Sequence, residues 1–195
     1  ASLVQRRWRR ARSKSCNGWA KVVDGVGQVA KRFRQQWMRS RVGQRWGARK
    51  GRLLTPQRWI FIIGCYNSGT TLLKDMLAEH EEVGVLAGEG VKFSDALPRP
   101  EDFGWQRMWC ECAEQVRLDP ADSARAERIK KQWSVLYPHR PNLLEKSIAN
   151  ALQLPFLEAQ FAPAYFVYIV RNGYAVAEGI RRKTTPGQRG NSIYK

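Results

Sequence analysis

One short segment of the chain combines the residues that a phosphate-binding loop needs. Residues 64–73 have the sequence GCYNSGTTLL, in which Gly64 and Gly69 are spaced as in the nucleotide-binding pattern G-x-x-x-x-G-K-[ST]. A glycine-rich turn between a strand and a helix directs backbone N–H groups and the positive end of the helix dipole at one point, where phosphate or sulfate binds. Thr70 stands at the lysine position, so the cation that kinases and ATPases place on their phosphates is missing. An ordinary turn capped by Ser68 or Thr70 is the alternative interpretation.

The segments around this loop predict an α/β fold with a parallel sheet. Short apolar runs rich in β-branched residues are typical of buried parallel strands, and apolar residues three or four positions apart indicate helices. Alternation of the two favours parallel strands joined by helical crossovers. The predicted strands are 59–63, 83–86, 143–144 and 165–170, and the predicted helices are 70–79, 121–133, 152–161 and 174–182.

The charge distribution divides the chain near residue 52. The 195 residues include 34 Lys and Arg against 17 Asp and Glu, a net charge of +17. Residues 1–52 contain 16 of the basic residues and only one acidic residue, Asp24, whereas residues 53–195 are nearly neutral. We therefore predict a basic arm at 1–52 and an α/β domain at 53–195, and we expect that domain to be truncated at its C-terminus.

The arm carries an apolar stripe at helical spacing, formed by Val22, Val26, Val29, Phe33 and Trp37. A basic amphipathic helix of this kind suits an anionic membrane surface or, less favoured, nucleic acid. Packing of the stripe on the main domain is the alternative. The longest apolar run, 59–65, is far shorter than the roughly 20 residues that span a bilayer. With few cysteines and no secretory signal, we expect a cytoplasmic protein, peripheral to a membrane if the arm binds lipid.

Three blocks resemble the sulfotransferases that use 3′-phosphoadenosine 5′-phosphosulfate (PAPS). Residues 68–73, SGTTLL, resemble the family's 5′-phosphosulfate loop, and residues 144–147, LEKS, resemble its EKS/EKT strand end. Residues 161–172, FAPAYFVYIVRN, resemble the strand whose arginine reaches the 3′-phosphate of the cofactor. The blocks occur in the family's order and cover residues 58–183. The resemblance implies a P-loop-like transferase that moves a sulfuryl group from PAPS to a hydroxyl or amine. Because a sulfuryl group carries less charge than a phosphoryl group, we expect the reaction to need no metal ion.

The resemblance also implies roles for particular residues. Lys146 would supply positive charge near the sulfuryl group or the acceptor, and Glu89, between two glycines after a strand, would be the general base for the acceptor. Arg171 follows a predicted strand, at the sheet edge where α/β folds bind ligands, and its planar fork suits a phosphate. The expected cofactor-binding residues are Asn67, Ser68, Gly69, Thr70, Thr71 and Arg171. The expected partners are a small-molecule, carbohydrate or peptide acceptor.

Two positions depart from the family pattern. Asn67 stands where the family has Lys or Arg, and Gly179 stands where a serine accompanies the 3′-phosphate arginine. Two other functions therefore stay open at this point. One is a nucleotide kinase or NTPase of the P-loop type, which Thr70 opposes. The other is a non-catalytic protein that keeps the fold while its arm binds nucleic acid or membrane.

Overall fold

A computed structural model of the protein describes residues 28–86, 88–105 and 109–184. The chain divides into two compact units, Ala1–Trp37 and Met38–Lys195. Within the described residues, helix α1 covers 28–38, and its residues 28–37 belong to the first unit and include the predicted stripe residues Val29, Phe33 and Trp37. Val22 and Val26 lie outside the described residues. The membrane and nucleic-acid roles of this segment stay predictions.

The second unit alternates strands and helices, as the apolar patterns predict. Its strands are β1 (Arg58–Gly64), β2 (Val83–Val85), β3 (Asn142–Glu145) and β4 (Ala164–Ile169). Its helices are α2 (Arg41–Lys50), α3 (Thr70–Ala78), α4 (Ala113–Val116), α5 (Ser123–Ser134), α6 (Leu154–Gln160) and α7 (Gly173–Thr184). Short 3₁₀ turns occupy Gly90–Lys92, Pro100–Phe103, Trp109–Cys112 and Ile148–Leu152.

The four strands form one parallel sheet in the order β2-β3-β1-β4. The predicted α/β fold with a parallel sheet is therefore confirmed. Because all strands run the same way, the residues that follow β1, β2, β3 and β4 emerge at one edge of the sheet. Residues 65–70, 88–90, 146 and 171 are thus brought to a common edge, the position at which α/β folds bind ligands.

An aromatic cluster fixes β1 within the core. Trp59 and Phe61 are buried on the same face of β1, and the ring of Phe161 meets both of them edge-on at centroid distances of 5.0 and 5.7 Å. Trp133 of α5 is also buried, with its ring centroid 6.1 Å from that of Trp59. Buried rings in such geometry contribute beyond their area, so this face holds β1 and the loop that follows it in place.

The prediction that 165–170 is a buried strand is right about the strand and wrong about its burial. Tyr165 and Tyr168 are 52% and 69% exposed. The reason is position, because β4 is the last strand of the sheet in the described part of the chain and pairs there with β1 alone. An apolar run carries no information about whether a strand will lie at the centre or the edge of a sheet.

Within the described residues, no helix has the length and apolar character needed to cross a membrane.

Candidate active site

The segment between β1 and α3 is a tight, glycine-dependent turn. Asn67 and Gly69 both adopt the left-handed conformation, with φ of 61° and 104°. Glycine takes this conformation freely and asparagine does so more readily than most residues. The Ser68 hydroxyl donates to the Cys65 carbonyl at 2.6 Å. A Cβ on Gly64 would lie 2.9 Å from that hydroxyl oxygen, so the turn also requires glycine at the end of β1.

The N-terminus of α3 faces this turn with backbone donors that the helix does not use. The first intrahelical bond runs from Leu73 N–H to Gly69 O at 3.0 Å, so the N–H groups of Thr70, Thr71 and Leu72 precede it. No side chain of the described residues caps this end. The cap by Ser68 or Thr70 that the alternative interpretation expects is therefore not formed in the described residues, and the Ser68 hydroxyl binds the Cys65 carbonyl instead. Such an end can bind an anionic group.

A cavity of about 450 Å³ opens beside the loop at the same sheet edge. It brings together five of the residues singled out from the sequence, which are Asn67, Thr70, Thr71, Glu89 and Lys146. Ser68 and Gly69 belong to the same loop but do not line the cavity. Its other lining residues are Tyr66, Val91, Lys92, Arg99, Glu101, Ile148 and Ala149. The lining carries both signs of charge.

Glu89 and Lys146 form an ion pair within the cavity. Lys146 Nζ lies 2.9 Å from Glu89 Oε1, and Lys92 Nζ lies 3.3 Å from the other carboxylate oxygen. Lys146 follows β3 and is buried, whereas Glu89 follows β2 and is partly exposed. Burial raises the pKa of Glu89, but hydrogen bonds and charge from Lys146 and Lys92 outweigh it and hold the pKa below its ordinary value. Glu89 is therefore ionised at neutral pH.

A second carboxylate, Glu145, holds the backbone on which Glu89 sits. Glu145 is buried at the end of β3 and accepts a hydrogen bond from Gly90 N–H at 2.7 Å. The Ser147 hydroxyl and the Asn150 amide also donate to it. Burial raises the pKa of Glu145, these three hydrogen bonds oppose the rise, and the nearby charge of Glu89 adds to it. Glu145 thus ties the Glu89 loop to the central sheet.

Gly90 is held on its other side by Trp133. The indole Nε1–H of Trp133 donates to Gly90 O at 3.1 Å, so both backbone polar groups of Gly90 are engaged by buried side chains. A Cβ on Gly90 would lie 2.5 Å from Trp133 Cζ2 and 2.8 Å from Glu145 Oε1. Only glycine fits between them, and this close packing fixes the position of the neighbouring Glu89.

Arg171 reaches the loop from the end of β4. Its Nη1 donates to the carbonyl of Asn67 at 2.6 Å, and its side chain is otherwise exposed. Arg171 does not line the cavity. It lies at the shared sheet edge, on the β4 side of the loop, where it can meet an anionic group that extends away from the N-terminus of α3.

The two departures from the family pattern contact each other. A Cβ on Gly179 of α7 would lie 3.2 Å from Asn67 Cβ and 3.5 Å from Asn67 Cγ. Gly179 therefore leaves room for the side chain of Asn67, which packs back against α7. We infer that the small residue at 179 and the asparagine at 67 accommodate each other.

Sequence reasoning did not predict that Glu145, Gly90 and Lys92 support Glu89. Glu145 carried a signal, since a carboxylate directly after the apolar pair 143–144 in a predicted buried strand needs partners inside the protein. The contacts of Gly90 and Lys92 could not be read from the sequence, because they depend on the position of residues 88–92 at the end of β3.

The carboxyl edge of the parallel sheet thus combines an uncapped helix N-terminus, a cavity and a lysine–glutamate ion pair. The profile of the sulfotransferase family matches residues 59–193, and the chain belongs to this family. It is thus a transferase of the sulfuryl-transferring kind. Searches of curated proteins and of solved structures gave no match. Among the described residues, no group of His, Cys, Asp and Glu side chains could hold a metal ion.

Proposed function

We propose that the protein transfers a sulfuryl group from PAPS to a hydroxyl or amine acceptor. The observation that carries the proposal is the convergence of three features on one cavity edge: the open N-terminus of α3, the cation of Lys146 and the carboxylate of Glu89. Membership of the sulfotransferase family supports the reaction type. The identity of the donor as PAPS, the class of acceptor and the roles of the individual residues are our proposal.

The loop would hold the 5′-phosphosulfate of the donor. The N–H groups of residues 69–71 and the hydroxyls of Thr70 and Thr71 would offer donors to an anion without any change in the helix. The Ser68 N–H would first have to leave the Cys65 carbonyl, to which it donates at 3.3 Å. Arg171 would hold the 3′-phosphate and would exchange its bond to the Asn67 carbonyl for that phosphate. These residues fit a donor with two anionic groups, because Lys146 lies on the cavity side of the turn and Arg171 lies on its β4 side.

Glu89 would act on the acceptor. The acceptor oxygen forms a bond to sulfur, the bond from sulfur to the 5′-phosphate oxygen breaks, and adenosine 3′,5′-bisphosphate leaves. Glu89 takes the acceptor proton, and its lowered pKa keeps it ready as a carboxylate at neutral pH. Lys146, 2.9 Å away, would turn from Glu89 toward the transferring group and stabilise charge there.

The family assignment opposes the kinase or NTPase alternative, and Thr70 at the lysine position opposes it further. The proposed partners are a small-molecule, carbohydrate or peptide acceptor and, through the basic N-terminal residues, an anionic membrane surface. A location in the cytoplasm, peripheral to a membrane, belongs to the same proposal.

A turnover assay tests the proposal. Release of adenosine 3′,5′-bisphosphate from PAPS is measured across a panel of acceptors, and the best acceptor is then used with Glu89→Gln. This change keeps the size of the side chain and removes its basicity. We expect kcat to fall by about 10²–10⁴, the usual value of general-base assistance, while bisphosphate affinity stays within about twofold. Full turnover by Glu89→Gln would remove Glu89 from the mechanism.

A further inference from the structure

Helix α2 packs on the domain through its small and polar residues. Gly43, Gln44 and Gly47 are its buried residues. A Cβ on Gly47 would lie 3.4 Å from the Cα of Gln132 in α5, so the two helices approach closely at this point. Gln132 Nε2 donates to Gln44 O at 3.0 Å, and Gln44 Nε2 donates to Lys92 O at 3.3 Å. These contacts fix which face of α2 is turned toward solvent.

The outward face of α2 carries its large apolar residues. Val42 and Trp46, one turn apart, are 70% and 44% exposed. Arg41, Arg45 and Arg49 are exposed as well and are spaced at intervals of four along the same side. A helix that serves only the core of a soluble protein directs its apolar residues inward. Helix α2 instead leaves Val42 and Trp46 partly exposed, so its outer face offers apolar surface beside its arginines.

The charge of this region selects the kind of partner. Residues 38–58 contain seven Lys and Arg and no Asp or Glu. Among the described residues, Arg41, Arg45 and Arg49 form no ion pair, so their charge is available to an external anion. A partner that matches this face must be anionic and must also accept apolar side chains.

We propose that the outward face of α2, formed by Arg41, Val42, Arg45, Trp46 and Arg49, docks on an anionic lipid membrane. Arginine side chains bind lipid phosphates, and an indole ring lies well at the boundary between headgroups and acyl chains. Val42 favours lipid over nucleic acid because an aliphatic side chain gains by entering the acyl boundary and has no π face to stack on a base. The proposal rests on the membrane partner proposed above, which it assigns to α2 and not to the residues before α2, and it does not depend on the proposed reaction.

Vesicle binding by the full chain tests this docking. The vesicles are phosphatidylcholine alone or a 7:3 mixture with phosphatidylserine in about 0.1 M salt, where charges are screened beyond about 10 Å. We expect binding to the mixed vesicles only. Arg45→Gln/Arg49→Gln should weaken it by about 10–30-fold, as expected for two basic residues at the surface. The control Arg117→Gln/Arg140→Gln removes the same charge elsewhere and should change affinity by less than about threefold.

Quenching by acyl-chain-brominated lipid locates the contact on α2. The wild type should lose a fraction of its tryptophan emission that Trp46→Phe no longer loses, although this variant still binds. Equal binding of the Arg45→Gln/Arg49→Gln variant and the wild type would assign the contact to the residues before α2 and overturn the proposal. Three other results would also overturn the proposal. They are equal binding to charged and uncharged vesicles, equal quenching of the wild type and Trp46→Phe, and tight binding to duplex DNA without binding to vesicles. Thermal melting of each variant checks that it is folded.

Discussion

Gly90→Ala is the substitution for which the structure predicts the clearest effect. The added Cβ would lie 2.5 Å from Cζ2 of Trp133, whereas carbon atoms in favourable contact are about 3.5–4.0 Å apart. Trp133 cannot yield easily because it is fully buried and donates to Gly90 O. The carboxylate of Glu145, 2.8 Å from the new atom, closes the other side. The residue at 90 must therefore move, and Glu89 must move with it.

The magnitude follows from two opposing effects. Overpacking in a well-packed core costs about 1–3 kcal/mol, and contacts this short place the cost near the upper end. Replacing glycine with alanine restricts the unfolded chain and returns about 0.4–1 kcal/mol. The net loss of unfolding free energy is about 2 kcal/mol, which lowers Tm by about 4–8 °C in a chain of this size. A displacement of Glu89 by about 1 Å should also lower kcat by about 10²-fold.

Thermal melting and turnover measure the two effects on the same preparation. Gly173→Ala is the matched control, because a Cβ there meets nothing within 4 Å. It should melt at the wild-type temperature or slightly above and keep full activity. If Gly90→Ala had the same Tm as Gly173→Ala and the same kcat as the wild type, the packing of Gly90 between Trp133 and Glu145 would not be what positions Glu89.

Two further predictions concern the same sheet edge. Lys92→Ala removes a cation that lowers the pKa of Glu89, so this pKa should rise and the acid limb of the pH profile of kcat should move to higher pH. The control Lys131→Ala should leave the acid limb where it is in the wild type. An acid limb that does not move in Lys92→Ala would contradict the assignment of Glu89 as the base. In a protein that already carries Asn67→Gly, the substitution Gly179→Ala should stabilise α7 by up to about 1 kcal/mol, because no side chain at position 67 crowds the new Cβ. In the wild-type background, the same substitution should stabilise the protein less. Urea unfolding of the four proteins measures the difference, and equal gains in both backgrounds would show that residues 67 and 179 are independent.

The loop and its strand could be predicted from sequence because their signals are local. A continuous apolar run ending at Gly64, followed by a second glycine five residues later, defines a buried strand and a turn at one place in the chain. The structure places β1 and α3 on either side of that turn. The family blocks then predict the order of the strands that precede Lys146 and Arg171.

The supports of the site could not be predicted because they depend on distant residues meeting. Glu145 and Gly90 are 55 residues apart, and their hydrogen bond arises only once β2 and β3 are paired. Asn67 and Gly179 each stood out as a departure from the family pattern, but nothing local indicated that they touch. The exposure of β4 likewise depends on its place at the sheet edge, which its apolar sequence does not specify.

Calorimetric titration with adenosine 3′,5′-bisphosphate tests the central claim, a PAPS-type donor site at the loop, most directly. The account predicts that this bisphosphate binds without magnesium and more tightly than ATP with magnesium. Arg171→Ala should weaken it by about 1.5–3 kcal/mol, the value of a hydrogen bond to a charged group, and should leave adenosine 5′-monophosphate almost unaffected. Tighter binding of ATP, or a strict requirement for magnesium, would contradict the account.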